Sequence, residues 1–161
     1  MKGVSVLIAF VLVIVISVAA LTIALNIGNP TIEKSKEIII LNEGKSNLKI
    51  IDSTINQVLQ EGDGSSRRLS ISVSGGTYNI KNNRLEFVMD TKYQIVSETF
   101  SNETVTDVPY KVIEDGLTVE ATAGKILVYI EYKFDFVNTA RLERGTNSIL
   151  ISNKDGDIQI N

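Results

Sequence analysis

The chain has 161 residues with no cysteine and no histidine, and 16 basic against 19 acidic side chains give a net charge of −3. Without cysteine there is no disulfide framework, CxxC site or thiol nucleophile; without histidine there is no Ser-His-Asp triad, histidine base or histidine-containing zinc site. All 19 acidic and 15 of the basic residues lie from Glu33 onward, a net of −4 with no basic block, which argues against nucleic acid as a partner.

Residues 4–25 contain no charged side chain, and Lys2 alone precedes them as an ionisable group. As a helix these 22 residues reach ~33 Å, which matches a hydrocarbon core of ~30 Å. Lipid requires a helix here, because bare N–H and C=O groups find no water and one segment cannot close a barrel. At 100° per residue, Ser5, Ala9, Ser17, Ala20, Ala24 and Gly28 fall within one sector of ~140°, with Leu7, Val11, Ile14, Val18, Leu21 and Leu25 opposite. Small side chains let backbones approach, so this sector suits helix–helix packing; an ordinary membrane span has the same composition.

Gly28-Asn29-Pro30 predicts a kink or a short interruption, since proline has no amide donor and restricts the residue before it. Residues 28–61 then continue as a more polar helix, with Leu48, Ile51, Ile55, Val58 and Leu59 on one apolar face that should lie on a globular domain. Gly44 weakens the middle of this helix, and the isoleucine-rich residues 37–41 also suit a short strand. Gly62-Asp63-Gly64-Ser65-Ser66 supplies a C-terminal stop.

From Arg67 the periodicity changes to alternation, which marks half-buried strands. Strands are predicted over 69–73, 77–80, 84–89, 93–100, 109–113, 117–121, 126–136, 140–143, 148–152 and 157–160. Turn signals separate them at Gly75-Gly76, Asn82-Asn83, Asp115-Gly116 and Asp155-Gly156. The expected fold class is α+β: a long hydrophobic N-terminal helix, then an antiparallel sheet or small sandwich over residues 67–161.

A short basic start ending in Lys2-Gly3, an uninterrupted apolar helix over 4–27, a helix continuation and a C-terminal β domain together resemble type IV pilin-like proteins. The nearest likeness is to the archaeal class III signal-peptide family, which includes archaeal pilins and archaellins. The resemblance implies a leader of residues 1–3, cut by a prepilin peptidase between Gly3 and Val4, and a hydrophobic helix that stays attached and becomes the filament core. Bacterial pilins carry a glutamate at the fifth mature residue, where this chain has Ile8, and archaellins often begin the helix with Ser-Pro-Leu, where it has Ser5-Val6-Leu7. The implied partners are the membrane, the peptidase and further subunits, with the β domain outside the cell.

Three readings follow. The first is a filament-forming subunit whose mature chain starts at Val4. The second is a single-pass, membrane-anchored surface binding or adhesion domain that keeps Met1. The third is a secreted domain cut at the small residues Val18-Ala19-Ala20, so that it starts at Leu21. Positive charge does not decide orientation, with Lys2 on one side and Lys34, Lys36 and Lys45 on the other; long domains translocate largely regardless of it.

No enzyme, cofactor or metal centre is expected. Asp63, Asp115, Asp155 and Asp157 sit in glycine turns that favour aspartate for its own backbone bonds, and no D-x-[DN]-x-[DN]-G loop is present. Glu131 and Asp135 read as the solvated side of a strand, and Arg67-Arg68 as a surface pair. Asn102-Glu103-Thr104 is a candidate N-glycosylation site.

Overall fold

The structure, a computed structural model, describes residues 2–92, 110–122 and 124–161. The chain divides into two compact units, Met1–Glu37 and Ile38–Asn161, and helix α1 (Lys2–Glu61) contributes to both. The layout is α+β, with the N-terminal apolar helix followed by antiparallel sheets.

The expected interruption at Gly28-Asn29-Pro30 is absent: residues 28–30 are helical, as are residues 37–41, where a strand was an alternative. Proline's fixed φ is itself a helical value; what it removes is one amide donor, and the turns on either side keep theirs.

Within the second unit, Leu48, Ile51, Ile55 and Val58 are buried as the spacing predicts, Leu59 is partly buried, and Leu41 extends the same face. Gly44 belongs to this face as well. A Cβ on Gly44 would sit 2.4 Å from Phe87 Cε1, so the missing side chain is the space occupied by the Phe87 ring. The helix ends where the glycines demand: Gly62 has φ +84°, and the Ser65 hydroxyl donates to the carbonyls of Val58 (2.8 Å) and Gly62 (2.6 Å).

The strands are β1 (Ser66–Val73), β2 (Thr77–Lys81), β3 (Arg84–Asp90), β4 (Tyr110–Glu114), β5 (Leu117–Thr122), β6 (Lys125–Glu131), β7 (Ala140–Leu142), β8 (Gly145–Lys154) and β9 (Asp157–Ile160). The strand expected over 93–100 lies outside the described residues. Two-residue connections at Asp115-Gly116 (φ +50°, +81°) and Asp155-Gly156 (φ +58°, +89°) have the doubly positive φ of tight hairpin turns.

The strand expected over 126–136 stops at Glu131. Beyond it the Tyr132 and Phe136 amides donate to Asn83 and Asn82 carbonyls (2.8 and 2.6 Å), bending the chain over the β2–β3 turn. Alternation persists there for another reason. Tyr132, Phe134 and Phe136 turn inward as an aromatic cluster, with ring centroids 5.1–5.5 Å apart.

Two antiparallel sheets result, ordered β1-β8-β9 and β4-β5-β6-β3-β2-β7. The smaller sheet joins the start of the head to its end, since β1 pairs with β8 from Ser66↔Ser152 to Val73↔Gly145. The pairing continues into the helix cap, where Gly64 N donates to Asn153 O and Asn153 N to Ser65 O (2.9 Å each). Inward residues of both sheets and the buried helix face form one core.

Candidate functional site

Residues Ile8–Leu25 are long and apolar enough to cross a membrane, and none of the stretch is buried within the chain. Ile8, Phe10, Leu12, Ile14, Ile16, Leu21 and Leu25 are each at least 46% exposed. Burying one such side chain is worth ~1.5–3 kcal/mol, so leaving this segment in water costs on the order of 20 kcal/mol and it demands a cover. Its polar groups are already satisfied: the Ser17 hydroxyl donates to Val13 O (2.8 Å) and that of Thr22 to Val18 O (2.9 Å). This satisfaction along the helix is what lets hydroxyls sit in an apolar surrounding.

Of the small-residue sector, Ala9, Ser17, Ala20 and Ala24 are exposed and Gly28 is half-buried, with nothing within 4 Å of a Cβ built on it. Ser5 lies on the same helix. Val11, Ile14, Val18, Leu21 and Leu25 opposite are exposed too, so burial does not distinguish the two faces. Lys2, Gly3 and Val4 form the first turn of α1; cleavage between Gly3 and Val4 would require that turn to unwind.

The head's carboxylates are used locally. Asp63 Oδ1 accepts from the Asp155 amide (2.6 Å), tying the helix cap to the β8–β9 turn. Asp115 pairs with Lys49 (2.9 Å), which holds its carboxyl below the ordinary range. Arg67 pairs with Glu61, and Asp135 is exposed. Among the described residues no three His, Cys, Asp or Glu side chains gather as metal ligands, and Asn102 lies outside those residues.

One constellation was not foreseen from the sequence. On the outward face of the larger sheet, nearly buried Tyr129 donates to Glu120 (2.8 Å) and accepts from Lys111 (3.0 Å), while the Arg84 guanidinium lies 4.3 Å from its ring centroid. Arg84 also pairs with Glu131, which is thus an ion-pair partner as well as a strand's solvated residue. The Tyr129 hydrogen bond, followed by Lys111, holds the Glu120 carboxyl below its usual range. Beside them Glu86 is buried, with Oε1 accepting from Asn79 (3.0 Å) and ion-paired with Lys81 (3.1 Å). A groove of about 240 Å³ is lined by Lys81, Asn82, Asn83, Arg84 and Glu86. The only sequence signal was that these side chains share a face; which of them meet depends on register.

Comparison with protein-family models, curated proteins and solved structures gives no match. The chain's own residues present an apolar helix segment that nothing in the chain covers and, on the head, a set of paired polar side chains.

Proposed function

We propose that this chain is a structural subunit of an archaeal type IV pilus-like surface filament, held in the cell membrane by its N-terminal helix before assembly. The observation that carries the reading is the apolar stretch Ile8–Leu25, uncovered along its whole length, close behind Lys2-Gly3 and joined to a β head. Lipid covers such a segment before assembly, and the helices of neighbouring subunits cover it afterwards. The small sector from Ser5 to Gly28 is the contact face in that bundle. The head faces the cell exterior and has a structural role.

Cleavage separates this reading from its rivals. A prepilin peptidase leaves the helix attached, so native protein begins at Val4, and electron microscopy of the host surface finds filaments containing the chain. In a Gly3→Val variant a bulky Cβ replaces the residue best able to open into an extended backbone, and the leader persists. An intact Met1 in protein from its own host reduces the reading to a membrane-anchored binding domain, and a start at Leu21 reduces it to a secreted one.

A further inference from the structure

The β2–β3 turn is anchored to an unusual degree for a two-residue connection. Both its carbonyls, on Asn82 and Asn83, accept amides from the segment that crosses behind it, and the Asn83 side chain donates to Tyr132 O (3.4 Å). The groups in front of the turn are held as well. Arg84 is fixed between Glu131 and the Tyr129 ring, and Glu86, its side chain 9% exposed, is aligned by Asn79 and Lys81. The Asn79 hydrogen bond and the Lys81 ion pair both fall on Oε1, so Oε2 is the oxygen offered to a further donor. The Asn82 side chain is exposed and lines the groove.

We infer that this groove binds a neutral polyhydroxyl ligand, of which a pyranose sugar with adjacent hydroxyls is the fitting class. Its charge is balanced internally, Lys81 with Glu86 and Arg84 with Glu131, so neither cation among the described lining residues is left unpaired to select an anion. What remains is a carboxylate acceptor next to amide donors and acceptors. Adjacent hydroxyls complement that pattern: one donates to Glu86 Oε2 while its neighbour exchanges hydrogen bonds with Asn82. The 240 Å³ volume equals about eight waters at ~30 Å³ each, enough for one sugar ring. The groups are already in place, so binding orders little of the protein; with no aromatic side chain among the described lining residues, Kd is on the order of millimolar.

Saturation-transfer NMR on the full chain, in micelles of a zwitterionic detergent without a sugar headgroup, tests this with the methyl glycosides of glucose, galactose and mannose. At least one should receive saturation. Asn82→Gly removes the amide while suiting the positive φ of +51°, and it should weaken binding by roughly tenfold. Glu86→Gln should do the same. Lys111→Ala, on the same sheet face but outside the groove, should change nothing. Absence of transfer to all three sugars, undiminished transfer in Asn82→Gly, or tighter binding of glucuronate than of glucose would each overturn the assignment.

Discussion

Gly44 of α1 and Phe87 of β3 meet so closely that the glycine hydrogen stands where a Cβ would be 2.4 Å from the ring edge. The ring cannot retreat. On its other side a Cβ on Gly76 would lie 2.5 Å from Cε2, and Tyr78 packs at a centroid distance of 4.8 Å.

Gly44→Ala should therefore destabilise the head even though alanine favours a helix by ~1 kcal/mol over glycine. Overpacking costs ~1–3 kcal/mol, and with the ring hemmed in on both sides the upper part of that range applies, so the net loss should be about 1–2 kcal/mol, read as a lower urea midpoint at unchanged slope. Phe87→Leu, destabilising alone, should remove most of the penalty of Gly44→Ala. A Gly44→Ala chain as stable as wild type would mean that the helix sits farther from the sheet.

The helix is also clasped farther along, where the Tyr132 hydroxyl donates to Asp52 Oδ1 (2.8 Å) and Asn56 donates to Oδ2 (3.2 Å). Tyr132→Phe leaves the aromatic cluster intact but removes that donor from a partly buried carboxylate, and should cost about 1–2 kcal/mol. In Asp52→Asn, pairing with Tyr132→Phe should add much less than the sum of the single changes, as a double-mutant cycle would record.

Alkaline pH should loosen the same region. Burial, opposed by the Asn47 hydrogen bond, pushes the Tyr78 hydroxyl up to about 12, and burial followed by Asp52 pushes Tyr132 higher still. Both favour the protonated phenol in the folded state. Their stabilisation is complete below pH ~10, where an unfolded tyrosine begins to ionise, and is lost as pH rises through the folded values. Unfolding midpoints measured from pH 9 to about 12 should fall, and the double variant Tyr78→Phe/Tyr132→Phe should flatten the fall. Ionisation of both phenols in the still-folded chain near pH 10, seen by ultraviolet absorbance, would contradict the burial.

A charge at the centre of the apolar stretch tests its surroundings. Ile14→Lys places an ammonium where insertion costs roughly 2.5–3.5 kcal/mol, so membrane retention and filament yield should drop together. The head should keep its unfolding midpoint, because Ile14 belongs to the first unit and the core to the second. Wild-type filament yield from this variant would mean that residue 14 is not covered.

Residues 38–161, expressed alone, should be folded and monomeric, since Leu41 through Val58 still cover the sheets. Starting instead at Ser46 removes Leu41 and the Gly44 contact, and the melting temperature should fall by several degrees, about 4 °C per kcal/mol lost at this size. Chelation should leave both unchanged, because no cluster of metal ligands is present among the described residues. An EDTA-dependent drop would return the Asp-Gly turns to consideration.

Local order was legible in the sequence because it is written in short-range periodicity. The spacing of Leu48, Ile51, Ile55 and Val58 indicates which helix face is buried, alternation marks the strands, and Asp115-Gly116 and Asp155-Gly156 mark their hairpins. The uncharged stretch likewise announces a segment that water will not hold. Only the tertiary structure decided what depends on neighbours distant in the chain. Periodicity says that Tyr132, Phe134 and Phe136 are apolar on one side, but not that the amides of Asn83-facing Tyr132 and Asn82-facing Phe136 end the strand. It leaves Gly44 looking like a weak point, because the Phe87 ring that needs the space is 43 residues away. It places Glu86 on a polar face, yet its burial depends on Asn79 and Lys81 arriving through the β2–β3 register. Backbone and side-chain preferences act over a few residues, whereas strand pairing and close packing are settled by which surfaces fit once the chain has closed on itself.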